Sequence, residues 1–370
     1  VHAERRSRYI AAIEQLSNRE NATTRLGGVY ALIGLIDEWL ADGALLTNKE
    51  RRKEGQVIIN SLCAYIRSPF ALVSRYDELI QDAPTAEGLY KNREQEFYID
   101  KAALESEADV RLSILKEIHR RLQGPDENTP GAWSEFEYDF SGSIFFYPVD
   151  LTNSYYTKPV NFSGSTYQDW ASFYGSAYLE GANFHESIYR GEADFHNSTY
   201  WDWADFTGST YQDEANFSDS IYWGKAKFRG STYWNCADFS GSIFYSDASL
   251  GEKEDNDSLS RFTQCAPEFY NETNHQNTLF GSPDNDFATE NGRGYPIYRN
   301  LEGLPLGCAF LTPAHKKYLD KMFQAMEEIS DEIHAPHTPD KTKELSEKLR
   351  SFVQELHEWR EKVTAVEGNR

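Results

Sequence analysis

The sequence predicts a chain of the α+β multidomain class, with helices at both ends and a solenoid of short extended segments between them. Three observations carry this reading. Apolar residues before position 125 recur at helical spacing, the middle third repeats every eleven residues, and the last sixty residues hold two heptad seams.

Residues 1–125 form the first element, a helical domain. Tyr9, Ile10, Ile13 and Leu16 share one face, as do Leu26, Val29, Ile33, Ile36 and Leu40. A third stretch over 49–67 carries Val57, Ile58, Leu62 and Ile66, and a fourth over 100–122 carries Leu104, Leu112, Leu115, Ile118 and Leu122. The segment 84–95 reads as a loop. Short helices in series predict a small bundle of HEAT or armadillo type. Asn21-Ala22-Thr23 fits a glycosylation acceptor, but Asn21 is better placed as a helix N-cap.

The repeat occupies 138–250. Steps of eleven from Phe140 reach Leu151, Phe162, Phe173, Phe184, Phe195, Phe206, Phe217, Phe228, Phe239 and Leu250. A second ladder runs from Phe145 through Tyr156, Tyr167, Tyr178, Tyr189, Tyr200, Tyr211, Tyr222 and Tyr233 to Phe244. Serine precedes each member of the second ladder by two positions, and alanine precedes the first ladder by two from Ala171 to Ala248. Small and large side chains two apart point to the same side of an extended segment. Gly, Asp and Asn between the triplets supply turns. The Asp/Asn column before eight of the ladder's Phe and Leu positions (Asp139, Asp150, Asn161, Asn183, Asp194, Asp205, Asn216, Asp238) is expected to hydrogen-bond in those turns.

The unit Ala182-Asn183-Phe184-His185-Glu186-Ser187-Ile188-Tyr189 resembles the bacterial pentapeptide-repeat family, in an eleven-residue variant. That resemblance implies a right-handed quadrilateral β-helix, with the rings and the small residues two before them inside. One extra residue in every second face implies 22 residues per coil, and five coils at about 4.8 Å give a rod of roughly 24 Å. The stretches 25–32 and 62–67 resemble the helical domain that precedes the repeats in many such proteins. Relatives of that type often carry transmembrane helices further upstream. The resemblance therefore implies a membrane tether before residue 1, on an otherwise cytoplasmic protein. No apolar run in the sequence itself approaches the length of a membrane span.

Residues 251–311 are rich in Gly, Asn and Asp with scattered aromatics, and are expected to form an irregular cap. Residues 312–370 form a helical hairpin or coiled coil. Thr312-Pro313 and Thr338-Pro339 mark the two starts. The seams are Leu319, Met322, Met326, Ile329, Ile333 and Leu345, Leu349, Phe352, Leu356, Trp359, Val363, Val366. The second seam is longer, so Trp359, Val363 and Val366 need a partner outside the hairpin. Two routes are open: packing on the repeat or cap of the same chain, or a coiled coil with a second copy in a homodimer or with another protein.

A net charge of −22 opposes direct nucleic-acid binding, which needs clustered Lys and Arg. The four cysteines lack CxxC spacing, so neither a disulfide framework nor a zinc knuckle is signalled, and reduced thiols are expected. His185 and His196 stand half a coil apart, so they cannot share a metal. His334-Ala-Pro-His337 reads as a solvated loop. No cofactor, metal or catalytic motif emerges, and the chain reads as non-enzymatic.

The residue after each ring of the second ladder places Leu179, Trp201, Trp223 and Tyr245 in one outward column. Exposed aromatics in a row mark a candidate protein-binding surface, to which Trp359, Val363 and Val366 add a second part; stacking that merely stiffens the rod is the competing account. The leading functional expectation is an interaction scaffold or adaptor. A DNA-mimic inhibitor of a topoisomerase such as gyrase is the alternative that the family resemblance implies, and the 14 acidic against 5 basic residues over 138–250 are compatible with it. A membrane-associated effector or sensor is the third.

Overall fold

A computed structural model describes residues 2–42, 47–125, 129–251, 259–289, 294–333 and 339–366. The first part is helical: α1 His2–Leu16, α2 Ala22–Ala41, α3 Asn48–Arg67, the short α4 Tyr76–Leu79 and the long α5 Glu94–Leu122. Local chemistry sets the starts. The Asn21 side chain accepts the Thr24 N–H, and Thr47 with Glu50 closes a capping box before α3. Val29, Leu32, Ile36, Ile59, Leu62, Ile66, Val110, Ile114 and Ile118 fill the core. One stretch, 49–79, is long and apolar enough by composition to cross a membrane, which a search for unbroken apolar runs overlooks. Here Ile58, Ile59, Leu62 and Ile66 of that stretch are buried against the neighbouring helices.

The middle is a four-sided parallel β-solenoid of about five turns. Each side is a stack of two-residue strands, and each strand pairs with the one 22 residues away: Ile188 with Thr166 and Thr210, Ala193 with Ala171 and Ala215. The first face begins at Tyr138–Asp139, the second at Ile144–Phe145, the third at Val149–Asp150 and the fourth at Tyr155–Tyr156. Inside, like stacks on like. Phe184 lies 5.1 Å from Phe162 and from Phe206, with planes within 6°, and Tyr189 lies 4.6 Å from Tyr167. Rings carried by opposite faces meet edge to face, as Phe195 after the third face and Phe206 after the first do at 5.0 Å and 79°. Every one of these rings is fully buried.

The repeated polar residues satisfy the turns that such short strands leave open. At all eight positions of the Asp/Asn column the side-chain oxygen accepts the N–H two residues on, as from Asp139 to Ser141 and from Asp205 to Thr207. The buried serines do a second task. Ser198 Oγ donates to the Phe173 carbonyl and accepts the Ser176 N–H, tying each turn to the one below.

Both ends of the stack are covered. Below the first coil, the Gln56 amide exchanges two hydrogen bonds with the backbone of Glu137, at 2.8 and 2.9 Å. His119 and Gln123 both meet the Thr152 carbonyl. Arg111, itself buried, bonds Glu107 and the Ile66 carbonyl while lying over Phe146 of the rod. Beyond Leu250 the ladders continue through Phe262, Phe269 and Phe280, stacked on Tyr233, Phe239 and Phe244 at 4.7, 5.3 and 5.2 Å. The region expected to be an irregular cap thus carries a further coil widened by insertions. Thr232 pairs with Arg261 and Ile243 with Leu279, both more than 22 residues away.

The thiols are not all reduced, contrary to what the lack of CxxC spacing implies. Cys236 and Cys265 form a disulfide, Cα atoms 5.4 Å apart, while Cys63 and Cys308 are free and buried. Their separation of 29 residues is one coil plus an insertion, so the two cysteines occupy the same corner of successive coils. Spacing motifs built on CxxC are blind to that.

Candidate interaction surface

The chain closes with α6 Pro313–Ile333 and α7 Pro339–Thr364, an antiparallel pair. Thr312 caps α6 by accepting the His315 N–H. The loop His334–His337 and the Thr338 cap lie outside the described residues. With 21 residues α6 is about 32 Å long. The fourth face holds seven strands, which at about 4.8 Å spacing run about 29 Å. Helix and face match, and α6 packs on that face.

Leu179, Trp201, Trp223 and Tyr245 stand in one column on this face, each partly buried against the hairpin. Phe323 of α6 is buried between the two indoles, 5.7 Å from Trp201 and 4.1 Å from Trp223. Trp223 stacks on Tyr245 at 3.9 Å. The Tyr245 hydroxyl donates to Asp320 at 2.6 Å, and burial together with that carboxylate pushes its pKa up to about 12. Beneath them Ile221, Ile243 and Leu279 meet Leu319, Met322 and Met326.

The second part of the predicted surface lies at the other side of the hairpin. Trp359 stacks on Tyr318 at 4.6 Å and meets His315 edge-on, so the first turns of α6 reach far enough to cover it. Val363 is partly buried in the same cluster. Val366 remains 42% exposed, and its N–H donates to the His275 carbonyl. Trp359 thus finds its partner within the hairpin, contrary to the expectation that it needs one outside, while Val366 meets the cap region through His275. The two parts of the surface join through the hairpin.

Sequence reasoning missed three residues that hold this interface. Phe323 sits beside the seam residue Met322 and was not assigned to it. Arg360 is buried and donates to Asp219 at 2.5 Å and to the Gly241 carbonyl at 3.0 Å. Asp219 occupies a left-handed turn position whose equivalents in the other coils are Asn153, Gly175, Asn197 and Gly241. It is the one acid in that column, and this was a readable signal.

A cleft of about 350 Å³ opens where helical domain, rod and hairpin meet, lined by Arg52, Glu135, Lys158, Glu180, Trp201 and Asp331 among others. Its charges are largely paired: Arg52 with Glu135, and Lys158 with Glu180 at 2.8 Å. His185 and His196 lie in the turns that follow the first and third faces, each bonded to the Asn or Asp two residues before it. No group of three His, Cys, Asp or Glu arranged to hold a metal occurs among the described residues. Burial holds the interior phenols, Tyr167, Tyr178, Tyr200 and Tyr211, well above their usual range, so they remain protonated. Outside the hairpin's cover, Ile188 and Trp234 on the second face and Trp170 and Trp203 at corners stay exposed. Compared with known protein families, curated proteins and solved structures, the chain has no match.

Proposed function

We propose that this chain is a non-enzymatic interaction scaffold, built on a rod of the pentapeptide-repeat class in an eleven-residue form, whose faces dock amphipathic helices. One observation carries the reading: an outward aromatic column of the repeat receives a helix of matching length, with Phe323 set between Trp201 and Trp223. A rigid aromatic row offers large contact area at little conformational cost, which is what a helix-docking face requires. The cytoplasmic setting and the upstream membrane tether implied by the family resemblance belong to the same proposal, with the rod presenting partners beside a membrane.

The test is site-specific photocrosslinking in the organism of origin. A photoreactive residue at Ile188 or Trp234, on the open second face, should trap a discrete protein partner. The same residue at Ile221, beneath α6, should give only a crosslink within the chain. Absence of any partner from the open faces would count against the scaffold. Dose-dependent inhibition of DNA supercoiling by the purified protein would promote the gyrase-inhibitor alternative.

A further inference from the structure

The distal third of α7 breaks its own pattern. Leu345, Leu349, Val353 and Leu356 are buried along the seam, and the next residues to be buried are Arg360 and Thr364. A long amphipathic helix normally keeps its buried stripe apolar, because a buried charge is costly unless it is paired. Arg360 is paired with Asp219 and the Gly241 carbonyl, both on the turns between the third and fourth faces. Its Nε nevertheless has no partner, and neither does the enclosed Nδ1 of His357, one turn before it. The end of the hairpin is thus fixed to the rod through Arg360, and two enclosed nitrogens, Arg360 Nε and His357 Nδ1, would be better solvated if it let go.

We propose that the hairpin is a latch over the aromatic column, held at its far end by Arg360 on Asp219 and released when His357 takes up a proton. This rests on the reading of that column as a docking face and adds its regulation. Each element around this end carries charged or titratable groups. On α7 they are Glu355, Glu358, Arg360, Glu361 and Lys362, with Arg360 and Glu361 3.9 Å apart and Glu358 bonded to Gln354; on the rod, Asp219; on α6, His315 against Trp359 and Tyr318 bonded to Glu355; beside the C-terminal turn, His275 bonded to Tyr270. A proton on His357 would place a second cation next to Arg360, whose close carboxylates are the half-buried Asp219 at 2.5 Å and the exposed Glu361 at 3.9 Å.

The direction follows from linkage. Burial, with Arg360 adding to it, lowers the His357 pKa from the ordinary 6.5 to about 4. The docked form therefore favours neutral imidazole. Docking is at full strength above the ordinary value and weakens as pH falls from about 6.5 toward about 4, by up to roughly tenfold per pH unit. Below that window the loss is complete and does not grow.

Hydrogen exchange of the whole chain, corrected for the intrinsic pH dependence, reads this directly. Amides of α6 and α7 should lose protection through the window while amides beneath the ladder residues keep theirs. His357→Gln should flatten that slope. Should that variant lose the hairpin altogether, Asp219→Asn serves instead: it should raise opening at every pH and leave the slope in place. Hairpin and rod exchanging in step at all pH values, or an undiminished slope in His357→Gln, would overturn the latch. No partner enters this measurement, so failure to trap a helix on the rod would sink the scaffold reading and leave the latch standing.

Discussion

The interior of the rod and the interface beneath the hairpin are both made of stacked aromatic rings, but they are built on different rules. Inside, each ring stacks on a like ring of the next coil at 4.6–5.3 Å, and the polar atoms of the turns are satisfied by recurring Asp/Asn and Ser columns. Under the hairpin each contact is individual: one Phe323, one Tyr245–Asp320 bond, one Arg360–Asp219 pair. A repeated interaction propagates along the stack and gives a stiff object. Single interactions of mixed polarity give a surface whose attachment can be changed at one residue.

That contrast can be broken at graded cost. Phe206→Ala, which empties the middle of a ladder between Phe184 and Phe228, should cost about 3–5 kcal/mol in chemical denaturation and lower the stability of the entire rod. Phe323→Ala should cost about 3 kcal/mol, the low end for such a truncation, because its pocket borders solvent. Its signature should be loss of hairpin protection in hydrogen exchange with the rod unchanged; equal loss in both would mean that interface and rod form one cooperative unit. Ser198→Ala removes the partner of both the Ser176 N–H and the Phe173 carbonyl, and should cost about 1–3 kcal/mol by the same denaturation assay. The smallest effect is expected far from both regions. Asn21→Ala removes the cap of α2 and should lower stability by about 1 kcal/mol, visible in the helical domain alone.

Much of the architecture was legible because it is periodic. Eleven-residue spacing of rings implied a 22-residue coil, and Tyr189 pairs with Tyr167 and Tyr211 accordingly. The Asp/Asn column reads as turn chemistry in the sequence and acts as such in space. Legibility fell where the period did. Residues 251–311 lost the ladder because insertions displace Phe262, Phe269 and Phe280 from their expected positions, though all three still stack in register. The Cys236–Cys265 pair was invisible for the same reason.

The candidate surface divides along a similar line. By itself the sequence determined that Leu179, Trp201, Trp223 and Tyr245 form one outward column, since a side chain's face follows from its place in the coil. It also determined two heptad seams, because helical period is a local property. Only the tertiary structure decided that the column and the first seam are each other's partner. Only it decided that Asp219, one acid among turn residues, meets Arg360, far along the chain. Such contacts join segments with no common period, and their energy depends on burial and on geometry that exist only after the chain has folded.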